Sequence, residues 1–196
     1  TVGQLLQGIW LFGMAAMGLW FAAVNFTFGR RARRNAQSVA INGCPIPVFV
    51  SPDIPSPCLV GFFQPRIYLT PASLENSSRL RHVLSHELTH WRHKDTWWSV
   101  LRCVCLCVYW FNPLVWWAAV LSRRDCELAC DEGALTRLGE SERFAYGRTL
   151  LDMVAQTVTP AAFLQTATTM IENKKQLKER VCLIVKKPKT VAATIL

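Results

Sequence analysis

Residues His86-Glu87-Leu88-Thr89-His90 are the part of this sequence with the clearest chemistry. On a helix, positions i and i+4 share a face, so imidazoles at 86 and 90 can point at one zinc ion. The glutamate beside the first histidine is then placed to deprotonate a water on that ion, the arrangement that hydrolyses peptide bonds. The plainer alternative is a surface helix that happens to carry two histidines and an acid. A catalytic zinc site also needs a third protein ligand while keeping a fourth position open. The acids that follow are Asp125, Glu127, Asp131 and Glu132. Glu127 and Asp131 lie one turn apart on one face. One carboxylate can therefore bind zinc while the other orients a histidine by accepting its free N–H. Residue types alone do not choose among the four.

The elements that must position these groups follow from local pattern. Asn76, Ser77 and Ser78 offer N-cap side chains after Pro71, and no glycine or proline interrupts Arg79 to His93. Leu80, Val83, Leu84, Leu88 and Trp91 repeat at three- and four-residue spacing, which predicts a helix from Arg79 to about His93. His82 and His93 lie on the same stripe, but only His86 and His90 bracket a glutamate. The other two read as partners of neighbouring groups or of solvent. Residues 43–71 are rich in proline, which excludes helix and leaves short β-like runs at Val48–Val50 and Arg66–Leu69. These predict a small antiparallel sheet beside the metal helix, either binding substrate in extended form or packing as a lid.

Leu5 to Phe28 contains no ionisable side chain and, as a helix, would span roughly 36 Å, enough to cross a bilayer. Arg30, Arg31, Arg33 and Arg34 follow it, which places what comes next in the cytoplasm. A second basic cluster between Lys174 and Lys189 precedes the apolar run Val191–Leu196, where the chain is expected to re-enter the membrane as a segment of a longer protein. Much of the net charge of +9 therefore sits beside membrane spans, which argues against direct nucleic-acid binding.

Trp97 to Leu121 has Arg102 as its only charge and holds five of the eight tryptophans. A straight crossing would strand the later acids across the bilayer from His86. The segment is therefore predicted to turn at Asn112-Pro113 into a helical hairpin, roughly 97–111 and 114–138. That hairpin dips into the membrane or its interface; a fully soluble core hairpin is the competing form. None of the eight cysteines makes a Cys-x-x-Cys pair, and a cytoplasmic setting disfavours disulfides. Cys126 and Cys130 could reach a metal but are read as packing.

At this point the residues resemble a known family, the BlaR/MecR-like membrane metallopeptidases, which includes β-lactam sensor-transducers. The likeness runs through Gly61-Phe62-Phe63-Gln64-Pro65-Arg66-Ile67-Tyr68-Leu69, then His86–His90 followed by Asp95. It continues through Trp110-Phe111-Asn112-Pro113-Leu114-Val115-Trp116, Glu127-Leu128-Ala129-Cys130-Asp131-Glu132, Tyr146-Gly147 and Leu150-Leu151. The resemblance implies a gluzincin: Zn2+ on His86, His90 and Glu127, Glu87 as the base, and Asp131 supporting a ligand from behind. No role for Tyr146 or Arg143 as an oxyanion partner is selected.

The implied architecture is an α+β, mostly helical zinc peptidase core with a small antiparallel sheet. Residues 1–29 form a transmembrane helix. Residues 30–180 form the cytoplasmic metallopeptidase domain, including the membrane-associated hairpin 97–121. Residues 181–196 form a juxtamembrane segment and the start of the next membrane helix. The implied protein is a multi-pass component of the cell membrane in contact with lipid, with a sensor domain elsewhere in the full-length chain. Its partner is a protein substrate, a transcriptional repressor by type, with its own chain a second candidate. No sensor module is present, so β-lactam recognition is not carried over. The competing functions are a housekeeping membrane zinc protease of the prenyl-protein or heat-shock type and a signalling scaffold without turnover.

Overall fold

The computed structural model describes residues 1–155, 168–169 and 174–186 of the chain. Helix α1 (Val2–Arg34) runs uninterrupted through the apolar N-terminal segment and ends among Arg31, Arg33 and Arg34. It is long and apolar enough to cross a membrane, and only Phe21, Phe28 and Ala32 along it are buried. Most of this apolar helix is left uncovered by protein among the described residues.

A five-stranded sheet follows, made of β1 (Gln37–Val39), β2 (Val48–Val50), β3 (Cys58–Val60), β4 (Arg66–Leu69) and β5 (Thr168–Thr169), in the order β1-β2-β4-β3-β5. The expected antiparallel sheet is here corrected to a mixed one. The two runs read from sequence, β2 and β4, pair in parallel, with Val48 opposite Ile67 and Val50 opposite Leu69. Parallel neighbours need a crossover, and the proline-rich stretch between them supplies it. That stretch carries the chain past β4 to lay down β3, which then hairpins back antiparallel. The tight return uses Gly61 at φ 108, where a Cβ would lie 2.3 Å from the Gln64 carbonyl oxygen. β5 pairs antiparallel on the outer edge of β3.

Helix α2 (Ser77–His93) starts where Asn76 accepts a hydrogen bond from the Ser78 amide, and it ends at Lys94, a non-glycine residue in left-handed conformation (φ 58). The chain turns there directly into α3 (Asp95–Val108). Asn112 caps α4 (Pro113–Leu138), with Pro113 in its first turn, so the hairpin is formed as expected. α5 (Arg143–Ala155) and α6 (Lys174–Lys186) complete the described chain. The main core joins Val48, Leu59, Ile67 and Leu69 of the sheet to Val83, Ala134, Leu135, Tyr146, Leu150 and Ile184 of the helices. Residues 181–186 thus continue α6, while the expected re-entry at 191–196 lies outside the described residues.

The tip half of the hairpin packs along α1, while the far half of α4 carries Ala134 and Leu135 into the main core. Phe21, Leu106 and Ala119 form a separate apolar cluster with Met17, Cys103, Val115 and Trp116 around it. At the hairpin tip the Trp10 indole donates to the Val108 carbonyl at 2.8 Å, and Trp110 lies against the bare face of Gly13. Trp10 and Phe28 are about 27 Å apart along α1 at the usual helical rise. The tip therefore reaches most of the way up the apolar helix. Arg102, the one charge inside this unit, is held by Ser99 at 2.7 Å and Ser122 at 3.2 Å.

A candidate metal centre

α2 presents His86 and His90 on its buried face, with their Nε2 atoms 3.0 Å apart. α4 crosses α2 closely because Gly133 leaves room for Thr89, whose Cγ2 would sit 2.7 Å from a Cβ there. That crossing decides among the four acids. Glu127 and Asp131 turn inward and are buried, whereas Asp125 and Glu132 face outward. Glu127 Oε2 lies 3.5 Å from His86 Nε2 and 3.9 Å from His90 Nε2. Three donors held about 2.0–2.1 Å from one tetrahedral zinc would be separated by about 3.3 Å. The observed triangle brackets that edge length.

The groups behind the imidazoles settle their tautomers. Tyr146 donates to Asp131 Oδ1 at 2.6 Å, leaving its oxygen to accept from His86 Nδ1 at 2.9 Å. Asp131 itself is 3.2 Å from the same nitrogen. On the other ring, Nδ1 donates to Asp95 Oδ2 at 2.7 Å. With both Nδ1 atoms protonated, the two Nε2 atoms face each other, a contact that a shared proton or a shared metal ion makes favourable.

Charge gives the same answer. Four carboxylates, those of Glu87, Asp95, Glu127 and Asp131, and one guanidinium, Arg180, are buried around the pair of rings. Arg180 lies on α6. Its Nε and Nη2 reach the two Asp131 oxygens at 2.6 and 2.7 Å, and its Nη1 is 3.3 Å from Glu127 Oε2. One guanidinium against these acids leaves negative charge that protonated imidazoles or a divalent cation would relieve.

Burial alone would raise both remaining ligand-side carboxyls. For Glu127 that is outweighed by His86, His90 and Arg180, which hold it at about 2. For Asp131 the Arg180 and His86 contacts win, and it lies well below its ordinary value. Burial likewise opposes charge on His86 and His90, yet Asp131 and Glu127 beside the first and Asp95 beside the second raise both. The centre of the cluster favours positive charge. These donors fit zinc.

Glu87 behaves differently. Neither of its carboxylate oxygens has a hydrogen-bond partner among the described residues. Burial pushes it up to about 7, against the pull of the two imidazoles. A carboxyl with that affinity and free oxygens is suited to exchange protons near neutral pH.

Other residues singled out from sequence fall elsewhere. His82 is buried between Thr149 (2.8 Å) and Glu142 (3.1 Å), and His93 is exposed. Arg143 pairs with Glu140. Tyr146 stands behind His86, on the side away from the ring's free nitrogen. Sequence reasoning missed Arg180, which looked like one more member of a basic cluster. It also gave Asp95 no task, although an acid five residues after His90 was a usable signal. Cys130 adds to that contact, its thiol donating to Asp95 Oδ2 at 3.1 Å.

Compared with known proteins, the sequence matches the BlaR1 peptidase M56 family over residues 1–184. The regulatory protein BlaR1 of Bacillus licheniformis is 31% identical over 136 residues, covering 69% of this chain and 22% of that protein. The methicillin resistance mecR1 proteins of Staphylococcus aureus and Staphylococcus epidermidis are 29% identical over 108 residues, covering 54% of this chain and 18% of theirs. The chain spans about a fifth of the length of these relatives.

Proposed function

This chain belongs to the BlaR1 peptidase M56 family, and on that premise we propose that it is the zinc-dependent endopeptidase unit of a membrane signalling system. It cleaves a cytoplasmic regulatory protein, by type a transcriptional repressor, in response to a signal received by another part of the full-length protein. The observation that carries this reading is the meeting of the two imidazole Nε2 atoms and the Glu127 carboxylate beside a buried Glu87 whose oxygens have no partner among the described residues.

His86, His90 and Glu127 would hold the ion, which when bound acidifies a water and polarises the scissile carbonyl. Glu87 takes a proton from the attacking water and returns it to the leaving amine. Asp131 with Tyr146 keeps His86 facing the centre, and Asp95 does the same for His90. Arg180 keeps Asp131 and Glu127 ionised through the cycle. β3 lies beside α2, and its edge already accepts Thr168–Thr169 as an antiparallel strand. An extended substrate would bind there in place of β5, and the pairing makes the chain itself a second candidate substrate. α1 anchors the unit, with the arginine end and the metal centre on the cytoplasmic side.

Metal analysis of the purified chain, run beside cleavage of a co-expressed repressor, tests the reading. Wild type is expected to hold one zinc and cleave. Glu87→Gln should hold zinc and not cleave, and Glu127→Ala should lose zinc. Unchanged zinc in Glu127→Ala, or turnover in Glu87→Gln, overturns it.

A further inference from the structure

A second group of metal-ligating side chains lies directly behind His90. Cys126 and Cys130 are one turn apart on α4, Asp95 opens α3, and the four donor atoms of His90, Asp95, Cys126 and Cys130 all lie within 4.8 Å of one another. Cys130 Sγ is 3.1 Å from both His90 Nδ1 and Asp95 Oδ2. Two thiols, a carboxylate and an imidazole converging from three helices differ from the nitrogen and oxygen set on the other face of the ring. Sulfur ligands select thiophilic ions. The sequence suggested mere packing for these cysteines, because it could not show that Asp95 folds back between them and His90.

We propose that Asp95, Cys126 and Cys130, with His90 Nδ1 as fourth donor, form a second site for a thiophilic divalent cation such as Cd2+ or excess Zn2+. Around zinc, sulfur at about 2.3 Å and nitrogen or oxygen at about 2.0 Å would be separated by about 3.5 Å. The 3.1 Å contacts are a few tenths short of that, so the cluster opens slightly to admit an ion. The thiol protons leave to solvent as the sulfurs coordinate, and the His90 proton moves from Nδ1 to Nε2 as Nδ1 binds, which takes the Nε2 lone pair from the first site. The 2.7 Å Asp95–His90 hydrogen bond cannot survive with both groups on one cation. Filling this site therefore removes the group that orients His90 and weakens the first site, making it inhibitory. Cys126 is only half-buried and offers the way in from solvent. The inference rests on the peptidase reading only through His90, which the two sites share.

The test uses the purified full chain in detergent, reduced, stripped of metal by a chelator and dialysed against cadmium. Bound cadmium is counted by mass spectrometry and the thiolate-to-cadmium charge-transfer absorbance is recorded. Cys126→Ser and Cys130→Ser are expected to bind one cadmium fewer than wild type and to lose part of that absorbance. Cys182→Ser, at an exposed thiol on α6, should match wild type. Cadmium in wild type should weaken zinc at the first site by about 10- to 100-fold, the usual effect of losing the partner behind a ligating histidine. Cys126→Ser should abolish that weakening. Wild-type count and absorbance in Cys126→Ser, or an equal loss in Cys182→Ser, overturns the second site. His86→Ala should lose one cadmium and keep the absorbance. If it loses none, the catalytic centre fails instead.

Discussion

Removing the carboxylate of Asp95 should weaken zinc in two measurable steps. Asp95 is buried, and its Oδ2 accepts from His90 Nδ1 at 2.7 Å and from the Cys130 thiol at 3.1 Å. Asp95→Asn keeps an oxygen acceptor and removes the charge. Hydrogen bonds to charged groups contribute about 1.5–3 kcal/mol and neutral ones about 0.5–1.5. The difference of about 1–1.5 kcal/mol corresponds to roughly 5- to 13-fold in affinity. Asp95→Ala removes the acceptor as well and leaves the His90 N–H unpaired, so the full 1.5–3 kcal/mol is lost, roughly 13- to 160-fold. Competition for zinc against a chromophoric chelator reads both values. Asp95 also sits in the first turn of α3, where an acid stabilises the helix by about 0.3–1 kcal/mol. Melting the metal-free variants separates that contribution from the zinc effect. Affinity within twofold of wild type in Asp95→Ala would refute the assigned role, as would Asp95→Asn binding more weakly than Asp95→Ala.

Arg180→Met leaves Asp131 and Glu127 buried without their guanidinium. Breaking such a pair costs about 3–5 kcal/mol, so the melting temperature should fall by about 6–20 °C at 2–4 °C per kcal/mol. Arg180→Met combined with Asp131→Asn should recover part of the loss, and no recovery would show that Arg180 acts through other contacts. Gly13→Leu places a Cβ 2.2 Å from the Trp110 indole and should lower stability in detergent by about 1–3 kcal/mol. Gly18→Leu meets nothing within 4 Å and serves as the neutral comparison; equal effects would mean that the hairpin tip does not pack on α1. Lys94 holds φ 58 between α2 and α3, a conformation costing a side-chain-bearing residue about 1–2 kcal/mol. Lys94→Gly should raise the melting temperature by a few degrees and Lys94→Val lower it, while the reverse order would remove the strain argument.

How legible all this was in the sequence depended on how local each determinant is. Helix α2 starts at Ser77, two residues before the expected Arg79, and ends at His93, because a cap and a repeat act within a few turns. The hairpin formed for an equally local reason, Asn112-Pro113, whose side chain and ring both favour starting a helix. β3 was missed: Cys58-Leu59-Val60 is a short run hemmed by Pro57 and Gly61, and its pairing partners lie outside that window. The parallel pairing of β2 with β4 was missed for the same reason, since alternation within a strand says nothing of its neighbour's direction. At the site, residue types could not choose among four acids. The choice is made by the rotation of α4, which depends on Gly133 meeting Thr89. Arg180 shows the limit most plainly. Sequence context made it one basic residue among seven, and only the packing of α6 over α4 turns it into the counter-ion of Asp131.

The metal centre and the apolar bundle are two ends of the same helices. Asp95, which fixes His90, is the first residue of α3, and Val108 at the far end of α3 is tied to Trp10 of α1. On α4, Ala119 belongs to the apolar cluster and Glu127 to the metal centre, about 12 Å further along the helix. No flexible linker separates the two regions. Helices transmit displacement because their backbone hydrogen bonds resist stretching, while the Asp95–His90 contact does not. At 2.7 Å, it passes the 3.5 Å limit of a hydrogen bond if α3 slides by about 1 Å along that direction. The joint that would absorb such a slide is Lys94, the single non-glycine residue with positive φ among the described residues. Backbone strain at Lys94, the orientation of His90 and the seating of the hairpin tip on α1 are thus joined through the single helix α3.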